Sequence, residues 1–355
     1  MTIAAAGDRV RLAAAHWKPR FIANGIDVND FEAVLAETND WAQWGPAWKR
    51  IGDMHRALAD EADRAGRRVT ATAAYQRAAW SYHLGKFLWF DDVALHDALS
   101  EASVAAYARA VPYLDPPGER IEAPFEGSVI PGILRRPTGG RPPLVLLVPG
   151  LDSVKEELFT IENEFLRRGL ATLSIDGPGQ GENAPRFPIR ADWSTVITPL
   201  LDFLAARDRG VDLARIGLMG ISMGGIYGPY AAAKEKRINA LVALAGPYDL
   251  AQCWPALNPL TKAGYRFYTK SRDEDEAFAK ARRLTLAGVL ERVSCPLLVI
   301  HGGRDRLFPP EQAERIVREA PNARLLLYPE GNHVCNNIPY KYRPAMADWM
   351  REQLA

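Results

Sequence analysis

The sequence predicts an α/β protein, a mostly parallel sheet covered on both faces by helices, preceded by a helical region. Three observations predict it. From residue 143 onward, the short apolar runs PLVLLVPG, LATLSIDG, RIGLMGIS, INALVALAG, CPLLVIHG and ARLLLYPEG alternate with longer amphipathic stretches. That is the pattern of strands buried on both faces and joined by helices. Before it, the segment from Trp48 to Ala110 is rich in Ala, Arg, Glu and Leu and has no proline, with apolar residues at helical spacing. Between the two regions lies Asp115-Pro116-Pro117-Gly118, where two prolines and a glycine cannot continue a helix.

The elements follow in order. Residues 1–118 read as a helical domain and residues 119–355 as the α/β domain. ERIEAPFEGSVIPGILRRP, with short β-like runs between Gly and Pro, reads as one or two antiparallel strands. Nearly fifty residues separate Gly246 from Ser294, more than a compact crossover needs. This stretch, about 250–292, holds Trp254, Tyr265, Phe267 and Tyr268. It reads as an inserted helical cap at the sheet's C-terminal edge, with a long helical crossover as the alternative.

Bulk properties exclude several function classes. With 355 residues, the chain is long enough to bury a core without staples. Its net charge of +1 provides no global field for nucleic acid or an anionic membrane. Cys253, Cys295 and Cys335 are odd in number and far apart, so neither a disulfide framework nor a cysteine zinc site is indicated. The N-terminus lacks the basic start and apolar core of a secretory signal. No run approaches the roughly 18–20 apolar residues needed to span a bilayer. The expectation is a cytoplasmic protein with neither metal nor cofactor.

The strongest chemical signal is Gly220-Ile221-Ser222-Met223-Gly224, between the strand RIGLMG and an Ala-rich helical stretch. A GxSxG in that context reads as a nucleophile elbow, which identifies the α/β-hydrolase fold. A serine hydroxyl is a weak nucleophile and needs a base. The fold's chain order is Ser, then Asp or Glu, then His. Asp305 follows the strand CPLLVIHG and His333 follows ARLLLYPEG, so both reach the edge that carries Ser222. His301, inside a strand end, reads as a packed or substrate-facing histidine. Asp176, which precedes Ser222, reads as the acid of a tight DGPG turn. The expected oxyanion donors are the backbone N–H groups of Met223 and, in the loop after LVLLVPG, Leu151. Beside them, Asp152 is either an auxiliary acid or part of a helix start, since Ser153-x-x-Glu156 reads as a capping box.

GLDSVKEE, IDGPGQGE, GISMGG, CPLLVIHGGRD and GNHVCNN, behind a long helical N-terminus, resemble one α/β-hydrolase subgroup. It comprises the 2,6-dihydroxypseudooxynicotine hydrolases, the FrsA-like proteins and the similar fungal hydrolases that shorten polyketide chains. The resemblance implies that Ser222, Asp305 and His333 form the family triad, and that Asp152 stands where a member has a functional glutamate. It implies that the N-terminal helices help form the pocket, with Tyr82 and His83 as candidate substrate contacts; Trp254 of the aromatic-rich cap region is a further candidate contact. Ordinary packing between helices is the alternative for each. By analogy a homodimer is expected. The function expected is hydrolysis of a small-molecule carbonyl substrate, at a C–C bond beside a ketone in an aromatic or polyketide-like compound. The alternatives are a carboxylesterase and, from another class, a non-catalytic FrsA-like binding protein.

Overall fold

The computed structural model describes residues 6–355. It forms two compact units, Met1–Gly118 and Glu119–Ala355.

The first unit is helical: α1 (Ala6–Asn24), α2 (Val28–Glu37), α3 (Trp44–Arg64), α4 (Arg68–Lys86) and α5 (Val93–Ala110). Helices start where short acids can cap them. The Asp27 carboxylate accepts the Asn29 N–H ahead of α2, and that of Asp92 accepts the Leu95 N–H ahead of α5. Nearly every residue of α4 from Ala71 to Lys86 is buried, as expected of a helix at the centre of a bundle. Indole N–H groups tie turns together: Trp44 Nε1 donates to the Leu84 carbonyl at 2.8 Å and Trp89 Nε1 to the Trp41 carbonyl at 2.9 Å.

The second unit opens with two strands, β1 (Gly118–Phe125) and β2 (Ser128–Arg135). They are joined by Glu126-Gly127, both at positive φ (44° and 75°), which suits a two-residue hairpin turn. Six more strands follow: β3 (Pro143–Val148), β4 (Ala171–Ile175), β5 (Asp212–Ile221), β6 (Ile238–Leu244), β7 (Leu297–Gly302) and β8 (Ala323–Tyr328). The sheet order is β1-β2-β4-β3-β5-β6-β7-β8. β2 runs antiparallel to β4, and the pairings from β4 through β8 are parallel.

Helices cover both faces. α6 (Phe159–Leu166) and α13 (Pro339–Gln353) pack over Val145, Leu147, Met219, Val242, Leu298 and Ile300. α8 (Gly224–Ala232) takes the other face, where Gly228 lies against Leu218 and Leu241. α7 (Ser194–Ala205) packs on α8, and α12 (Pro310–Glu319) packs on β7 and β8. The residues between β6 and β7 contain α9 (Leu250–Cys253), α10 (Pro259–Tyr268) and α11 (Glu274–Ala281). This segment is therefore helical, which fits both a cap and a long crossover. Among the described residues, no helix is long and apolar enough to cross a membrane.

This topology positions a site. β3 lies between β4 and β5, so the crossovers leave it in opposite directions and open a crevice at the strands' C-terminal ends. Register pairs Val148 with Gly220, so Gly150 runs beside Ser222 one step beyond the sheet.

Candidate active site

Ser222 sits between β5 and α8 with φ at +55°, in the left-handed region that an L-residue adopts only under strain. Its N–H donates to the Leu244 carbonyl at 2.8 Å. The turn requires glycine on both sides. A Cβ on Gly220 would lie 1.9 Å from the Gly224 carbonyl oxygen, and one on Gly224 would lie 2.3 Å from that of Val148. Gly220→Ala is therefore expected to destabilise the protein by about 3 kcal/mol, through backbone overpacking. Urea unfolding checks this, and an unchanged midpoint would refute the close approach.

His333 follows β8 by five residues. Its ring is held by an edge-to-face contact with Phe308, centroids 5.4 Å apart, and by positive φ at Val334 and Cys335 behind it. Nδ1 lies 2.7 Å from the Asp305 carboxylate and Nε2 lies 2.9 Å from Ser222 Oγ. A carboxylate only accepts, so the proton sits on Nδ1 and leaves the Nε2 lone pair facing the serine hydroxyl. An imidazole so held can take the hydroxyl proton. The other carboxylate oxygen of Asp305 accepts the Leu307 and Phe308 N–H groups at 2.8 and 3.0 Å. Burial alone would raise the Asp305 pKa. The charge and hydrogen bond of His333, aided by His301 and the Phe308 N–H, outweigh it and hold the carboxyl below its ordinary 3.8.

His301 is a packed histidine. Its Nε2 donates to the Phe308 carbonyl at 2.8 Å and lies 3.5 Å from Asp305. Burial pushes its pKa down. The three thiols are buried and unpaired with one another. Burial raises Cys253 and Cys335 to about 12 and Cys295 to about 11, so none offers a thiolate beside the serine.

The loop after β3 lies against the elbow: a Cβ on Gly150 would lie 2.9 Å from that of Ser222. Among the described residues, neither the Leu151 nor the Met223 N–H donates to a backbone carbonyl outside helices and strands. The expected capping box is not formed. The short helix begins at Lys155, its cap position is Val154 with no side-chain cap bond, and Ser153 Oγ donates instead to the Glu157 carboxylate at 2.7 Å. The reason is register, because Asp152 takes a positive φ (52°) and delays the helix by one step. Asp152 is buried and accepts a short hydrogen bond from the Tyr268 hydroxyl at the end of α10.

Asp176 also departs from the turn reading. Its carboxylate accepts the Lys155 backbone N–H at 2.9 Å and its ammonium at 2.8 Å. Glu156 and Glu182 close on the same ammonium at 2.6 and 2.5 Å, and Arg120 grips Glu182 with two bonds of 2.8 Å. These three carboxylates converge closely enough to hold a cation, and Lys155 provides one from the chain itself. Sequence spacing hid this cluster because its members come from two separate loops and, with Arg120, from β1.

The expected substrate contacts are placed as follows. Tyr82 packs its ring on Gly52 and donates to Asp53 at 2.8 Å. His83 lies among Phe21 and Phe87, at centroid distances of 6.2 and 6.1 Å. Trp254 packs on Tyr265 and Phe278 within the insertion. The residue that sequence reasoning missed is Tyr268, visible only as one aromatic among several.

Sheet order, elbow and the Ser222–His333–Asp305 geometry together define an α/β-hydrolase. The model for the esterase FrsA-like family matches residues 29–253 and that for the prolyl oligopeptidase family matches residues 159–355. The chain thus belongs to the FrsA-like family of hydrolases, with a prolyl oligopeptidase-family match over its C-terminal part. It is 30% identical over 339 residues to 2,6-dihydropseudooxynicotine hydrolase of Paenarthrobacter nicotinovorans, covering 94% of this chain and 91% of that one. The crystal structure of 2,6-dihydroxy-pseudo-oxynicotine hydrolase superposes with a TM-score of 0.88, covering 95% of each chain at 30% identity. The 20-hydroxy-prefusarin hydrolase FUS2 of Gibberella moniliformis is 35% identical over 226 residues. That match spans 59% of this chain and only 54% of the fungal protein.

Proposed function

We propose that this hydrolase cleaves a C–C bond beside a ketone in an aromatic or polyketide-like small molecule, with Ser222 as nucleophile, His333 as base and Asp305 orienting the base. The observation that carries the reading is the imidazole lying 2.9 Å from the hydroxyl and 2.7 Å from the carboxylate. Ser222 Oγ attacks the carbonyl carbon while His333 takes its proton. The Leu151 and Met223 N–H groups receive the oxyanion. Collapse breaks the C–C bond, and the departing carbanion takes the proton that His333 received from Ser222, directly from the imidazolium or relayed through Asp152, which leaves the imidazole neutral. Water, activated by His333, then releases the acyl group as an acid. A non-catalytic binder would have no use for this three-residue relay.

The names support a small-molecule substrate: a relative matched over nearly its whole length is a hydrolase of a pseudooxynicotine. The FrsA-like description as an esterase favours the second reading, an aryl ester. The two differ at the leaving group. A phenoxide leaves without help, whereas a carbanion needs a proton, and a placed general acid contributes about 10²–10⁴-fold. With a panel of aryl β-diketones and aryl esters, diketones are expected to turn over. Asp152→Asn is expected to slow diketone cleavage at least about tenfold while ester turnover changes about twofold or less. Turnover of esters alone would overturn the C–C reading. Equal losses on both substrates would remove Asp152 from protonation. Tyr268→Phe, which strips Asp152 of its hydroxyl donor, is expected to follow the same split.

A further inference from the structure

The loop after β4, Asp176-Gly177-Pro178-Gly179-Gln180-Gly181-Glu182, holds no member of the reacting trio, yet its side chains grip the loop after β3 at two points. At one end, Gln180 Nε2 donates to the Pro149 carbonyl at 2.5 Å and reaches that of Gly150 at 3.4 Å. Its amide oxygen is held in turn by the Gly177 N–H at 3.0 Å. At the other end, Asp176 takes both the backbone N–H and the ammonium of Lys155. Gln180, Asp176 and Lys155 are all buried. Gly181 has no room for a side chain, since a Cβ there would lie 2.1 Å from the Asp176 carboxylate. Between the two anchors lie Leu151 to Val154, beside Ser222.

We infer that Gln180 is a positioning residue for oxyanion stabilisation: by holding the Pro149 and Gly150 carbonyls it fixes the Gly150–Leu151 peptide so that the Leu151 N–H, opposite the Gly150 carbonyl, faces the carbonyl under attack. The inference rests on the reading of Ser222 as nucleophile and Leu151 as a donor. Physically, a hydrogen-bond donor helps a transition state only if it is already oriented when charge develops. A peptide beside a glycine rotates easily, and within the loop itself the backbone bond that restrains it, from the Ser153 N–H to the Gly150 carbonyl, is long at 3.5 Å. The buried amide of Gln180 supplies a second restraint at the peptide immediately before Leu151, and the Lys155–Asp176 pair stops the far end from compensating.

The test uses the rate at which a fluorophosphonate labels Ser222, because that reaction also develops charge on an oxygen in the same place and needs no identified substrate. Gln180→Met removes both bonds at similar volume and is expected to slow labelling about 10–100-fold, less than deleting a donor outright. Thermal unfolding run alongside reports any loss of fold. Gln180→Glu adds a readout that a purely structural role would not move. Protonated, its carboxyl donates to the Pro149 carbonyl; ionised, it repels that carbonyl. Its labelling rate relative to wild type is therefore expected to rise as pH falls. A Gln180→Met rate within twofold of wild type, or a Gln180→Glu ratio flat with pH, overturns the positioning role and leaves the nucleophile intact. Wild-type protein that does not label at all overturns the underlying reading instead.

Discussion

Ser222→Ala is expected to abolish fluorophosphonate labelling and to lower turnover by about 10⁴–10⁶-fold, the range for removing the nucleophile from a relay that acts as a unit. The effect should be chemical and not structural. The elbow's backbone is held by the Ser222 N–H bond to Leu244 and by the glycine contacts at Gly220 and Gly224, none of which uses the hydroxyl. Alanine at a positive φ carries the same strain that serine carries there. The unfolding midpoint should therefore stay near that of wild type while labelling disappears. Undiminished labelling would place the reactive hydroxyl elsewhere and defeat the assignment.

Asp305→Asn is expected to lower turnover by about 10⁴-fold through the wrong tautomer of His333. The variant's amide oxygen can keep both bonds from the Leu307 and Phe308 N–H groups, so the loop holds. The atom facing Nδ1 becomes an N–H donor, which moves the imidazole proton to Nε2 and points it at Ser222 Oγ. The hydroxyl then has no acceptor for its proton. Stability supplies an independent readout. The Asp305 pKa is lower in the folded protein than its ordinary 3.8. Its contribution is therefore present above that value and lost as pH falls through the lower folded value. Comparing unfolding from about pH 6 down to about pH 2, the variant should lack this part of the acid destabilisation. Parallel acid profiles would mean that Asp305 is not held ionised by its partners.

Much of the candidate site was legible in one dimension because each residue proposed to react lies at or just beyond the end of a recognisable strand. Ser222, Asp305 and His333 follow β5, β7 and β8, and parallel strands deliver their C-terminal ends to one edge. Gly220 and Gly224 announced the elbow for a steric reason that holds in any surroundings of this fold. For His301 the sequence left packing and substrate contact both open, and the structure packs it against the Phe308 carbonyl.

What failed were inferences from short spacing in the loops after β3 and β4. Ser153 and Glu156 have the spacing of a capping box, but Asp152 at positive φ shifts the helix start, and Ser153 turns to Glu157. Asp176 looked like a turn acid, but a partner 21 residues away in sequence, Lys155, claims its carboxylate.

By itself the sequence determined the order of strands and helices, the elbow and the three side chains proposed here to react, because periodicity, glycine sterics and strand ends are local properties. Only the tertiary structure decided which buried polar groups are partners: Lys155 with Asp176, Gln180 with Pro149, Tyr268 with Asp152. A buried charge or amide must find its counterpart wherever folding brings one within about 3 Å, and no spacing along the chain encodes that meeting.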